Sequence, residues 1–202
     1  MMRGPMFVVV GAVALSGCAL LGKNDPHVPR YFTPEYESDG PAARVRPDLQ
    51  LRLGRVEGWS HLGERMASRH SARELLYDDD RRWIERPEIY LRRALSRALF
   101  EERGVVESLS GRAITVDVEL IAFEEIVQPH QARMQALLVV TDDRLGLLTE
   151  TITVLQPVVK PEGADPTRGL VDAFSQALHA GVTRIADRVV EKLSERAPHA
   201  TR

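Results

Sequence analysis

Cysteine is all but missing from this sequence: among 202 residues only Cys18 occurs. No intramolecular disulfide and no cysteine-rich zinc site can therefore form. Aromatic residues are scarce at 5%, and neither sign of charge prevails, with 27 Lys and Arg against 29 Asp and Glu. A net charge of -2 without long blocks of like charge leaves no basic face for neutralising phosphates, so no nucleic-acid partner is expected. HExxH, GxSxG, P-loop and dinucleotide-binding motifs are all absent. The histidines, at 27, 61, 70, 130, 179 and 199, show no metal-binding helical spacing. Asp78-Asp79-Asp80, Glu124-Glu125 and Asp142-Asp143 are oxygen-rich. They fall at expected turns and strand ends, where acidic residues are common, so neither a metal nor a cofactor is expected. No enzyme signature stands out, and the expectation is a protein that is not an enzyme.

What is present begins at the N-terminus. Arg3 is followed by the apolar stretch Met6 to Leu15 and then by Leu15-Ser16-Gly17-Cys18. A positive start, a short apolar core and small residues form the layout of a secretory signal peptide. The stretch falls short of the roughly 20 residues that span a bilayer, and Gly11 and Gly17 interrupt it. These features disfavour the alternative of an uncleaved anchor running from Met6 to Leu21. Leu15, Ser16, Gly17 and Cys18 resemble a bacterial lipobox. That resemblance implies cleavage before Cys18, covalent lipid on its thiol as the only non-protein group, and a mature chain held in the cell envelope. Because one acyl chain holds only marginally, durable anchoring takes several. The residue after the cysteine is Ala19 rather than aspartate. By the sorting pattern known for such lipoproteins, this favours the periplasmic face of the outer membrane over the inner membrane.

Residues 18–47 read as an acylated N-terminus and tether, because Pro26, Pro29, Pro34, Pro41 and Pro47 oppose helix and central strand, with the last part lying along the domain. The folded domain is expected over 48–202. Leu49, Leu51 and Leu53 alternate with polar residues as a half-buried strand. Met66 to Tyr77 suggests a hairpin around His70-Ser71-Ala72, after which Asp78-Asp79-Asp80 breaks regular structure. Pro87 to Arg103 carries the helical stripe Leu91, Ala94, Leu95, Ala98 and Leu99, stopped by Gly104. Three alternating strands follow, joined at Gln128-Pro129-His130 and at Asp142 to Gly146. A long helix capped by Asp165 closes the domain, with Val171, Phe174, Leu178, Val182, Ile185, Val189 and Leu193 on one face. Two amphipathic helices and one sheet can bury their apolar faces only against each other. The expected fold is an α+β two-layer sandwich of a mainly antiparallel sheet and two helices.

With these residues in order, a family pattern emerges. Leu51-Arg52-Leu53, Glu64-Arg65-Met66, Arg69, Glu74-Leu75, Tyr77, Arg82-Trp83, Pro87 and LRRALSRALFEERG resemble the ABC-type transport auxiliary lipoprotein family, the PqiC-like proteins, over about residues 48–193. The later VDVELIAFEE and GLLTETITV fit the same pattern. The chain departs from it before Glu64, with Trp59-Ser60-His61-Leu62 where a bulky Tyr-Leu pair is usual. The resemblance implies a non-catalytic accessory of an MCE-domain protein and its ABC permease and ATPase, moving lipids or other hydrophobic molecules, and an oligomeric ring. Arg69, Glu74, Tyr77, Arg82 and Trp83 are the candidate partner-binding or structural motif, with Trp83 read first as a core residue. The competing expectation is a periplasmic lipid-binding carrier or chaperone, which needs a hollow core. An envelope hydrolase would need a convergent polar pocket that the sequence does not display.

Overall fold

The computed structural model describes residues 28–37, 42–109, 113–143, 145–159, 163 and 165–196. The expected signal peptide and the lipobox, including Leu15, Ser16, Gly17 and Cys18, lie outside the described residues. The strands are β1 (Arg30–Phe32), β2 (Arg46–Gly58), β3 (Arg65–Ser71), β4 (Glu74–Trp83), β5 (Val105–Glu107), β6 (Ile114–Ile126), β7 (Gln131–Asp142) and β8 (Leu145–Pro157). The helices are α1 (Pro87–Ser96), prolonged by a π-helical turn over Arg97–Glu101, and α2 (Pro166–Arg196).

All eight strands join one sheet, with β6 at its centre. On one side β6 pairs antiparallel with β7, and β7 with β8, as short turns between alternating segments dictate. On the other side β6 meets two strands in succession, both parallel. Leu51 to Gly58 of β2 runs beside Ile114 to Leu120, and Ala67 to Arg69 of β3 beside Glu124 to Ile126. β2 and β3 therefore act as one long strand interrupted by residues 59–64. The sheet forks there, towards β5 at one end and towards β4 and β1 at the other. The longest ladders are the antiparallel ones, and the parallel pairings join the earlier part of the chain.

Both helices lie on one face, giving the two-layer α+β sandwich. The stripe of α1 is buried from Leu91 to Leu99, and α2 buries Phe174, Leu178, Val182, Ile185, Val189 and Leu193. Gly104 adopts φ +65, which ends the first helix, and its carbonyl receives the backbone N–H of Arg46. At one end of the core Trp83, Tyr90, Phe123 and Phe174 stack ring against ring, with Trp83 and Phe174 5.0 Å apart and edge-on. Trp83, Tyr90, Phe123 and Phe174 belong to one buried cluster that joins the sheet to both helices.

Two expectations change. The domain takes in residues well before Asp48: β1 pairs in parallel with the end of β4, and β2 itself begins at Arg46. The segment after β1 runs along α2, where the Glu35 N–H donates to Ser175 Oγ and His179 Nδ1 lies 3.0 Å from the Glu37 carbonyl. Pro29 and Pro34 flank β1 rather than interrupt it, so their missing N–H groups leave its ladder intact. The other change concerns Asp78-Asp79-Asp80. Rather than ending regular structure, it forms a bulge inside β4, between the pairings Ala67–Tyr77 and Arg65–Arg82. Asp78 Oδ1 accepts the N–H groups of both Asp80 and Arg81, supplying the partners that the bulge takes from the ladder.

Candidate functional site: an arginine-rich corner of the sheet

Strand alternation decides which motif residues meet. Trp83 points into the core and is 1% exposed, as its reading as a core residue requires. Its neighbour Arg82 therefore faces the opposite side of the sheet, beside Arg65 on β3 and Tyr31 on β1. Tyr77 and Ala67 are paired on that same face, and Ala67 pairs in turn with Glu124. Arg69, Tyr77 and Arg82 are thus brought to one face of one corner. Trp83 supports them from behind, and Glu74 sits apart, exposed at the start of β4.

Two polar assemblies form there. In the first, Glu124 has no exposed side-chain surface and lies between Arg69 and Arg133. Arg69 Nε and Nη2 donate to its two carboxylate oxygens at 2.5 and 3.0 Å, and Arg133 Nη2 donates to Oε1. The hydrogen bond to Glu124 raises the Arg69 guanidinium above its ordinary value, against the opposing effect of burial. Neither Glu124 nor Arg133 was singled out as a partner for Arg69 from the sequence. The signal available was symmetry: the two residues sit equally far from the centre of the turn at Gln128-Pro129, so a hairpin places them opposite each other.

The second assembly is a cleft of ≈ 640 Å³ between residues 60–64 and the end of β4. Tyr77 closes one wall, its hydroxyl donating to the His61 carbonyl at 3.0 Å while Arg65 lies over its ring. Arg65 is committed to the Tyr77 and Asp78 carbonyls and to Asp79. Arg86 is committed to the Leu62 carbonyl and to Glu88. Arg82 differs: it makes no ion pair among the described residues, and its Nε is buried without a hydrogen-bond partner. His61 Nε2, in the same cleft, is likewise buried and unpartnered. An arginine without a carboxylate partner, in a cleft whose other arginines are already engaged, equips it for an anion.

The acidic clusters noted in the sequence have side-chain partners. Asp78 meets Arg81, Asp79 meets Arg65, Glu124 meets two arginines, Glu125 meets His130, and Asp142 meets Arg196. Burial pushes the Asp78 carboxyl up, but the hydrogen bonds from the Arg81 side chain and from the Asp80 and Arg81 N–H groups outweigh it and hold it below its ordinary value. Among the described residues no group of three or more His, Cys, Asp or Glu is placed to hold a metal ion, and no helix is long and apolar enough to cross a membrane.

The fold defines a class before it suggests a function: an α+β sandwich with a forked sheet and helices on one face. Solved structures share it. The crystal structure of protein XCC0632 from Xanthomonas campestris, of the DUF330 family, superposes with a TM-score of 0.68 at 18% identity, over 82% of this chain and 98% of that one. A second crystal structure, titled only as an uncharacterized protein, gives 0.63 at 12% identity, over 80% of this chain and 99% of that one. At these identities the likeness shows the fold. No family model matches the sequence. No curated protein matches it either.

Proposed function

We propose that this protein is a lipid-anchored, non-catalytic adaptor of an MCE-type ABC transport system for lipids or other hydrophobic molecules, held at the periplasmic face of the outer membrane through Cys18. The observation that carries the reading is where the motif behind the family resemblance ends up. Arg69, Tyr77 and Arg82 share the sheet face that neither helix covers, beside the half-buried Leu137 and Val139 and the exposed Leu155. β8 pairs on one side only among the described residues, so a long strand edge is open beside that face. An uncovered face and an open edge are the surfaces by which a domain meets a protein partner. The aromatic rings that meet between helices and sheet occupy space that a carrier would need for its ligand, which favours the adaptor.

The test is affinity purification of the full chain from native membranes, tagged at the C-terminus so that Cys18 processing is untouched. An MCE-domain protein and its permease and ATPase in the eluate are the expected outcome. A clean eluate carrying stoichiometric lipid and no transporter overturns the adaptor and favours the carrier.

A further inference from the structure

The cleft at Arg82 has a built-in deficit. Its lining holds Arg65, Arg82 and Arg86 against the single carboxylate of Glu64. Arg65 and Arg86 are engaged by protein acceptors, whereas Arg82 Nε and His61 Nε2 are buried with none. The Arg82 side chain is paired with no protein carboxylate among the described residues, so its guanidinium is available to an anion that enters the cleft.

The position of the cleft narrows the identity of that anion. Arg82 is paired across the sheet with Tyr31 of β1, the first described strand. Twelve positions separate Cys18 from Arg30, which at full extension is about 40 Å, against about 100 Å had the fold begun at Asp48. Tyr31 is 54% exposed and Trp59, stacked edge-on against His61, is 49% exposed. Amphipathic aromatics beside cations suit the boundary between lipid and water. A guanidinium offers a fork of donors matched to phosphate oxygens, and Ser60 and His61 line the same cleft.

We propose that the cleft formed by residues 60–64 and Arg82 binds the phosphate of a membrane glycerophospholipid headgroup, orienting the domain on the membrane that carries its anchor. This rests on the anchoring part of the proposed function and is independent of the transporter partner. The bound phosphodiester accepts from the Arg82 guanidinium, which no carboxylate among the described residues engages, and Trp59 and Tyr31 lie at the glycerol level.

The test uses the full chain in neutral detergent, titrated with dihexanoyl-phosphatidylglycerol or with inorganic phosphate. The readout is Trp59 emission, isolated by subtracting Trp59→Phe. A saturable change with the lipid is expected, weakened about tenfold or more in Arg82→Gln and retained in Arg73→Gln, whose arginine is exposed at the β3–β4 turn. His61→Ala gives a second variant at the same site should Arg82→Gln fail to fold, and it is expected to weaken the response too. Three results overturn the proposal: no saturable change, an equal response to inorganic phosphate, or an unaltered lipid response in both cleft variants. If those variants instead lose a co-purifying protein while lipid binding is intact, the cleft belongs to a protein carboxylate. Intact mass of the chain reports acylation of Cys18 separately, so failure of the anchor and failure of the cleft are told apart.

Discussion

Glu124 is fully buried, and Arg69 holds both of its carboxylate oxygens, at 2.5 and 3.0 Å. Arg133 adds a second guanidinium on Oε1, so the carboxylate bridges β3, β6 and β7 on the face away from the helices. A buried ion pair contributes little net stability, but removing one partner strands a charge in a poorly solvated place. Arg69→Ala is expected to cost about 3 kcal/mol or more in urea unfolding. Replacing Arg69, Glu124 and Arg133 together by leucine is expected to recover much of that loss. A loss below about 1 kcal/mol for Arg69→Ala would show the network to be ornamental.

Trp83 lies against Tyr90, Phe123 and Phe174 and has almost no exposed surface. Trp83→Ala is expected to destabilise by about 3–5 kcal/mol and Trp83→Phe by less, measured by guanidinium unfolding. Any loss of partner binding in Trp83→Ala then follows from loss of the fold. A stable Trp83→Ala that has lost only its partner would instead place this residue at the interface.

The hydroxyl of Tyr77 ties residues 59–64 to β4 through the His61 carbonyl. Tyr77→Phe is expected to cost about 1 kcal/mol. Hydrogen exchange should speed up over residues 59–64 and leave the β6–β7 ladder unchanged. Uniform acceleration across the sheet would contradict this local role.

Acid weakens the start of α2 in a defined direction. Asp165 accepts the Thr167 N–H and pairs with Arg30 of β1, and these contacts lower its pKa to about 2. The folded value lies below the unfolded one of about 3.9. Its stabilising effect is therefore fully present above about pH 4 and is lost as the pH falls towards 2. Asp78, also held below its ordinary value, has the same sign. The advantage in thermal midpoint of wild type over Asp165→Asn should be constant near neutrality and shrink between about pH 4 and pH 2. A difference that grows on acidification contradicts the assignment.

Much of the fold was legible because it is local. The alternation in β6, β7 and β8 and the stripe of α2 each state one buried face, and short turns fix antiparallel neighbours. Parallel pairing leaves no such trace, so the junction of β2 and β3 with β6 could not be read from spacing. β1 is three residues long between prolines, too short for a period, and its place is set by tertiary contact with β4. The acidic triplet at 78–80 has the composition of a loop, yet the carboxylate of Asp78 serves the backbone within a bulge. At the site, the resemblance grouped Arg69, Glu74, Tyr77, Arg82 and Trp83, and strand alternation puts Arg69, Tyr77 and Arg82 on one face, Trp83 in the core and Glu74 apart. Glu124 read as a strand-end acid because the slip in register between Leu120 and Ala122 hides which face it occupies. The unpaired state of Arg82 depends on which neighbours other arginines have already taken, a property of three dimensions alone.

The adaptor role is tested most directly by photocrosslinking in living cells, with a photoreactive residue placed singly at Leu137 or Leu155 on the uncovered sheet face and at Glu195 on exposed α2. Crosslinks from Leu137 and Leu155 to an MCE-domain protein, with none from Glu195, are expected. Crosslinks from Glu195 alone, or no protein crosslink from the sheet face in cells where the chain is folded and acylated, would contradict it.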